Sequence, residues 1–112
     1  MIDREQLLEE FLGSIDAPVV VDGRKDREAL QALGIEEIVE LNRGVSLLEV
    51  VESLQGSSRV ILLTDLDREG KILRKKLLRL MGPYGISENK RPREILAQMR
   101  VSNIEGLRCM LD

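Results

Sequence analysis

The sequence predicts an α/β fold in which a short parallel sheet is wrapped by helices. Three observations lead there. Strand-like and helix-like stretches alternate from residue 19 to residue 81. The strand-like stretches include continuous apolar runs, Val19-Val20-Val21 and Val60-Ile61-Leu62-Leu63, as expected of strands covered on both faces. Turn or helix-starting residues follow each run, which is the punctuation of strand–helix units.

Asp3, with Gln6 three residues on, opens a first helix over residues 3–13. Leu7, Leu8, Phe11 and Leu12 fall on one face of it, and Gly13 and Pro18 bracket its end. Asp22-Gly23 closes the first strand, and a helix over Lys25–Leu33 stops at Gly34. Glu37–Leu41 reads as a second strand and Asn42-Arg43-Gly44 as a turn. Ser46 with Glu49 has the capping-box pattern, starting a helix that ends near Gly56. After the third strand, Thr64-Asp65 leads to a basic helix over Arg68–Met81, stopped by Gly82-Pro83. Beyond Pro83 the pattern supports a helical tail over residues 92–111, with helices at Pro92–Met99 and after a Ser102 cap paired with Glu105. No fourth strand is read there, and Ser87–Arg93 is expected to be a mobile loop. The 112 residues fit one domain with its core at residues 17–81.

Composition removes several functional classes. With Phe11 and Tyr84 the only aromatics, the core must be aliphatic, and binding of single strands by base stacking is disfavoured. The chain has no histidine, which removes the commonest general base, serine–histidine triads and most zinc sites. Cys109 has no internal disulfide partner, fitting a reducing cytoplasm, and reads as a small buried hydrophobe. No apolar run approaches the ~20 residues that cross a bilayer, and the acidic N-terminal stretch does not resemble a leader, so no membrane association is expected.

The net charge of −3 hides an asymmetry. Residues 1–67 carry six basic and fifteen acidic side chains, a net of −9, whereas residues 68–100 carry ten and three, a net of +7. The basic block can create a local positive surface despite the acidic total. Arg74, Lys75, Lys76 and Arg79 read as a solvated helix face able to contact a nucleic-acid backbone collectively.

The chemistry concentrates on three carboxylates. Asp22 ends the first strand, and Asp65 and Asp67 follow the third. Ligands of parallel α/β sheets bind at strand carboxyl ends, so these acids converge if the two strands are neighbours. Residues i and i+2 of extended chain face the same way, which lets Asp65 and Asp67 share one ion. Clustered carboxylates repel one another without a cation, and Mg²⁺ is held by one or two carboxylates with waters and phosphates. Arg68 and Lys71, near a helix start, are placed to contact phosphate oxygens. Gly70 inside the first turn costs ~1 kcal/mol relative to alanine, which a close approach of phosphate or backbone would explain. Gly23 serves either a tight turn beside the ion or an ordinary strand end. Asp26 either caps the following helix or touches the metal.

Val19-Val20-Val21-Asp22-Gly23-Arg24-Lys25-Asp26 together with Thr64-Asp65-Leu66-Asp67-Arg68-Glu69-Gly70 resembles the Toprim domain. That domain is shared by topoisomerases, bacterial primases and several nucleases. Ile104-Glu105-Gly106-Leu107 is similar to the tail of short, stand-alone, chiefly archaeal members. The resemblance implies a Rossmann-like three-layer sandwich, Mg²⁺ or Mn²⁺ as cofactor and a nucleic acid, RNA or DNA, as partner. It implies metal ligation by Asp22, Asp65 and Asp67, with Asp22 also catalytic. Arg24, Lys25, Arg68 and Lys71 would face phosphate, and Gly23 and Gly70 would shape the site. The chain departs from the family at Asp22, where the family has glutamate; catalytic geometry is sensitive to the lost methylene. The expected function is therefore metal-dependent nuclease or phosphotransfer chemistry, with a non-catalytic nucleic-acid or nucleotide-binding module as the alternative. Tyr84 is not the family's topoisomerase nucleophile, which resides on a separate domain, and is expected to pack in the Gly82–Gly85 turn. A phosphorelay receiver would need a lysine after a fifth strand, and a haloacid-dehalogenase phosphatase needs its paired acids after the first strand; neither pattern is present.

Overall fold

The computed structural model describes residues 3–41, 44–101 and 103–111, with side chains through Leu107. The elements are α1 (Arg4–Gly13), β1 (Val19–Val21), α2 (Arg24–Ala32), β2 (Ile38–Glu40), α3 (Leu47–Ser53), β3 (Arg59–Leu62), α4 (Arg68–Met81), β4 (Ser87–Glu88), α5 (Arg91–Gln98) and α6 (Ile104–Leu111). A 3-10 turn at Gly82–Tyr84 separates α4 from β4.

Helix starts follow the side chains that supply otherwise unpaired amides with acceptors. Asp3 accepts from the Gln6 amide, Ser46 from Glu49 and Asp67 from Gly70. Gly34, at φ +89°, closes α2 in the left-handed region that favours glycine. The expected turn at Asn42-Arg43, the Ser102 cap and the packing of Cys109 lie outside the described residues. At the start of α6 the described cap is Asn103, whose Oδ1 accepts from the Gly106 amide at 2.9 Å.

All four strands are parallel, in the order β2-β1-β3-β4. Val19 and Val20 stand opposite Ile61 and Leu62, so the strands that deliver Asp22 and Asp65 are neighbours. Alternate residues of each strand enter opposite layers. Val19, Val21, Ile61 and Leu63 pack against α1, α2, α5 and α6 through Phe11, Leu30, Ile95 and Leu107. Val20, Val60 and Leu62 pack against α3 and α4 through Val51, Leu54, Leu77 and Met81. The result is a three-layer sandwich of helices, sheet and helices. No helix among the described residues is long and apolar enough to cross a membrane.

The expected mobile loop at Ser87–Arg93 is instead the edge strand β4 and the start of α5. Ser87 donates its amide to Ser58 O (3.0 Å) and Asn89 to Val60 O (2.8 Å), while Ile86 anchors the segment in the core. The Glu88 side chain is buried and meets Arg74 of α4 through two hydrogen bonds. Arg74 is thus part of the α4–β4 junction, not of the solvated face to which its spacing assigned it. Tyr84 lies in the 3-10 turn but remains 38% exposed, not packed.

Candidate metal centre

Two loops at the carboxyl edge of the sheet carry the acids. Asp22 directly follows β1; Leu63 and Thr64 carry the chain from β3 to Asp65. The Asp65 amide donates to Asp22 Oδ2 at 3.1 Å, locking the two loops together. Asp26, in the first turn of α2, is buried beside them. Carboxylate oxygens of Asp22, Asp26 and Asp65 all lie within 4.8 Å of one another.

This grouping differs from the trio that the motif spacing brings to mind. Asp67 contacts the Gly70 amide through Oδ1 at 2.8 Å and serves as the N-cap of α4. It lines a hollow of about 210 Å³ together with Asp22, Asp65, Glu69 and Gly70. Asp22 and Asp65 also line a second hollow of about 320 Å³. Arg24, Lys25, Asp26, Asn103 and Glu105 line that one. Asp22 and Asp65 are common to both, with Asp26 and Asp67 on either flank. Of the expected phosphate contacts, Arg24 and Lys25 border the acids, and Arg24 also pairs with Glu28 at 2.9 Å. Arg68 and Lys71 are exposed in the first turn of α4 and line neither hollow.

The electrostatics are those of clustered like charges. Burial, then the Asp22, Asp26 and Asp67 carboxylates, push the Asp65 carboxyl up to about 6. Burial and Asp22 also raise Asp26, partly offset by the Gly23 and Glu105 amides. Among the described residues, no ion pair involves Asp22, Asp26, Asp65 or Asp67. Asp22 Oδ1 is shielded from solvent and has no hydrogen-bond partner. A buried acceptor without a partner is costly, and a hard cation is one group that would satisfy it. The donor set of carboxylate oxygens fits Mg²⁺ or Mn²⁺.

Two glycines behave differently. Gly23, the N-cap of α2, is at φ −160°, ψ −170°, extended backbone that any residue adopts. Gly70 has no such latitude: a β-carbon there would collide with the backbone of Asp65. The close approach that explains a helical glycine is therefore made by the loop that carries Asp65.

Arg93, counted in the sequence only as one of the basic residues, is 8% exposed and reaches the same loop from α5. Its Nη1 donates to Thr64 O (2.6 Å), Thr64 Oγ1 (3.1 Å) and Leu62 O (3.3 Å), and its Nη2 to Asp65 O (3.0 Å). The signal that locates it is its spacing. Arg93 stands three residues before Leu96 and next to Pro92, on the buried stripe of α5.

Fold and site together define a parallel α/β protein with an acidic centre at the point where strand order reverses. The chain belongs to the UPF0292 family. It is 35% identical over 100 residues to a UPF0292 protein of Pyrococcus abyssi, covering 86% of this chain and 75% of the relative. A UPF0292 protein of Pyrococcus horikoshii is 36% identical over 104 residues, covering 89% and 75%. Among solved structures, a putative protein from Aquifex aeolicus superposes with a TM-score of 0.78 at 30% identity, covering 91% of this chain and 94% of that one. No family model matches the chain.

Proposed function

We propose that this protein is a Toprim-like, Mg²⁺- or Mn²⁺-dependent cytoplasmic protein that acts on or binds nucleic-acid phosphodiesters. The observation that carries the reading is the convergence of Asp22, Asp26 and Asp65 at the β1–β3 edge, with Asp22 Oδ1 left unpartnered. Asp65 and Asp22 hold the ion, flanked by Asp26 and Asp67. A bound divalent ion supplies Lewis-acid polarisation of a phosphoryl oxygen. Arg24 and Lys25 bring cations to the rim of the larger hollow. The exposed Arg68, Lys71, Lys75 and Arg79 of α4 offer charge to neighbouring phosphates. In the hydrolytic form of this reading, Asp22 accepts a proton and the α4 cations oppose developing negative charge.

The second reading is a binding module without turnover. Its support is Asp22 itself, one methylene shorter than the glutamate of the Toprim pattern. Incubating the protein with structured RNA and with nicked and single-stranded DNA in Mn²⁺ separates the two, with Asp65→Asn as control. Cleavage abolished by the substitution supports the enzyme; metal-dependent binding without cleavage supports the module. Neither binding nor cleavage, with or without metal, contradicts both.

A further inference from the structure

We propose that Arg93 is the positioning residue of the acidic centre, presetting Asp22 and Asp65 through one peptide unit. This rests on the metal reading above. The peptide joining Thr64 to Asp65 is held at both ends. Its carbonyl oxygen accepts from Arg93 Nη1 at 2.6 Å, and its N–H donates to Asp22 Oδ2 at 3.1 Å. A peptide unit is planar, so fixing the oxygen fixes the direction of the N–H. Arg93 therefore aims that N–H at Asp22 and leaves the other carboxylate oxygen, Oδ1, unpartnered. Rotation of the unit would instead turn a carbonyl oxygen towards a carboxylate.

The remaining contacts of the guanidinium serve the same segment. Nη2 holds Asp65 O at 3.0 Å, opposite the surface of Gly70 that admits no side chain. Thr64 Oγ1 accepts from Nη1 and donates to Gly70 O at 2.8 Å, tying the start of α4 into the clamp. All four described hydrogen bonds of Arg93 thus end on residues 62–65, and none on a carboxylate. The nearby acid Glu88 is engaged by Arg74 instead. A planar fork reaches several acceptors at once, which an ammonium group cannot reproduce.

The test compares wild type, Arg93→Met, Arg93→Lys and Met99→Ala, the last removing core packing at α5's C-cap, from a residue with no described hydrogen bond to residues 62–65. Each is titrated with Mn²⁺ by calorimetry where it is folded, and its metal-free amide spectrum is recorded. Arg93→Met is expected to lose metal affinity by about 10–100-fold, the usual effect of removing a residue that orients ligands. Its Asp65 amide resonance is expected to shift in the absence of metal as the bond to Asp22 is released. Arg93→Lys should fall between it and wild type, while Met99→Ala loses stability but keeps its affinity. Wild-type affinity in Arg93→Met, or an equal loss in Met99→Ala, overturns the proposal. Should Arg93→Met not fold, Arg93→Lys decides: unchanged affinity and an unmoved Asp65 amide overturn it. Should wild type bind no Mn²⁺, the metal reading fails, and the metal-free Asp65 amide still decides whether Arg93 orients the loop.

Discussion

The carbonyl of Asp65 occupies the space that a side chain on Gly70 would need. Gly70→Ala must displace either the first turn of α4 or the loop bearing Asp65. Alanine's better helix propensity is worth ~1 kcal/mol, and forcing atoms into a packed site typically costs about 1–3 kcal/mol. A backbone obstacle lies at the upper end of that range, so urea denaturation should show a net loss of stability. Gly13→Ala is the matched control: Gly13 ends α1, its φ is not positive, and its added β-carbon meets no atom from elsewhere in the fold within 4 Å. It should be neutral or mildly stabilising.

Asp65 gives the metal-free protein a definite pH dependence. Its folded-state pKa, about 6, lies above the ordinary value of 3.8. Through that window the unfolded chain releases its proton first and so binds fewer protons than the folded one. The Asp65 contribution to stability therefore falls as pH rises from about 3.8 to about 6, then stays constant. Asp26, raised for similar reasons, acts in the same direction. In chelator, Asp65→Asn should gain stability relative to wild type across this window, read as the difference in urea midpoints.

Asp67 and Asp26 should separate in their effects. Asp67 caps α4 through the Gly70 amide, so Asp67→Ala should cost ~1 kcal/mol through loss of the cap. Asp67→Asn retains an acceptor and should fold nearly as well as wild type. Asp26 shares the tight cluster with Asp22 and Asp65, so Asp26→Asn should weaken Mn²⁺ binding more than Asp67→Asn. Calorimetric titration of the two variants makes the comparison.

Arg100 follows α5 at φ +60°, a left-handed conformation that is unfavourable for a side-chain-bearing residue. Glycine is preferred at such helix ends. Arg100→Gly should raise stability by up to about 1 kcal/mol, reduced by the freedom glycine gains in the unfolded chain. A thermal melt checks it, with metal binding unchanged.

The parts of the fold legible in the sequence were those with redundant local signals. Helix α4 combines an Asp67 cap, an apolar stripe and a Gly82-Pro83 stop, and its span emerges intact. β1 and β3 announce themselves by apolar runs buried on both faces. β4 has no such signal: two residues with one exposed position are held by Ser58 O, Val60 O and the distant Arg74. Acids at the ends of β1 and β3 were readable because parallel strands deliver their ends to one edge. Asp26 was legible only as an alternative, since cap and ligand look alike in sequence. Arg93 was hidden by its charge, which suggests a surface; only its place on the buried stripe of α5 reveals otherwise.

Titrating Mg²⁺ into the protein while following its backbone amides tests the acidic centre most directly. Saturable shifts are expected at millimolar metal or below, concentrated at Asp22, Asp26 and Asp65 to Gly70, and absent from Asp65→Asn. No movement at those amides in the wild-type protein would contradict the metal reading.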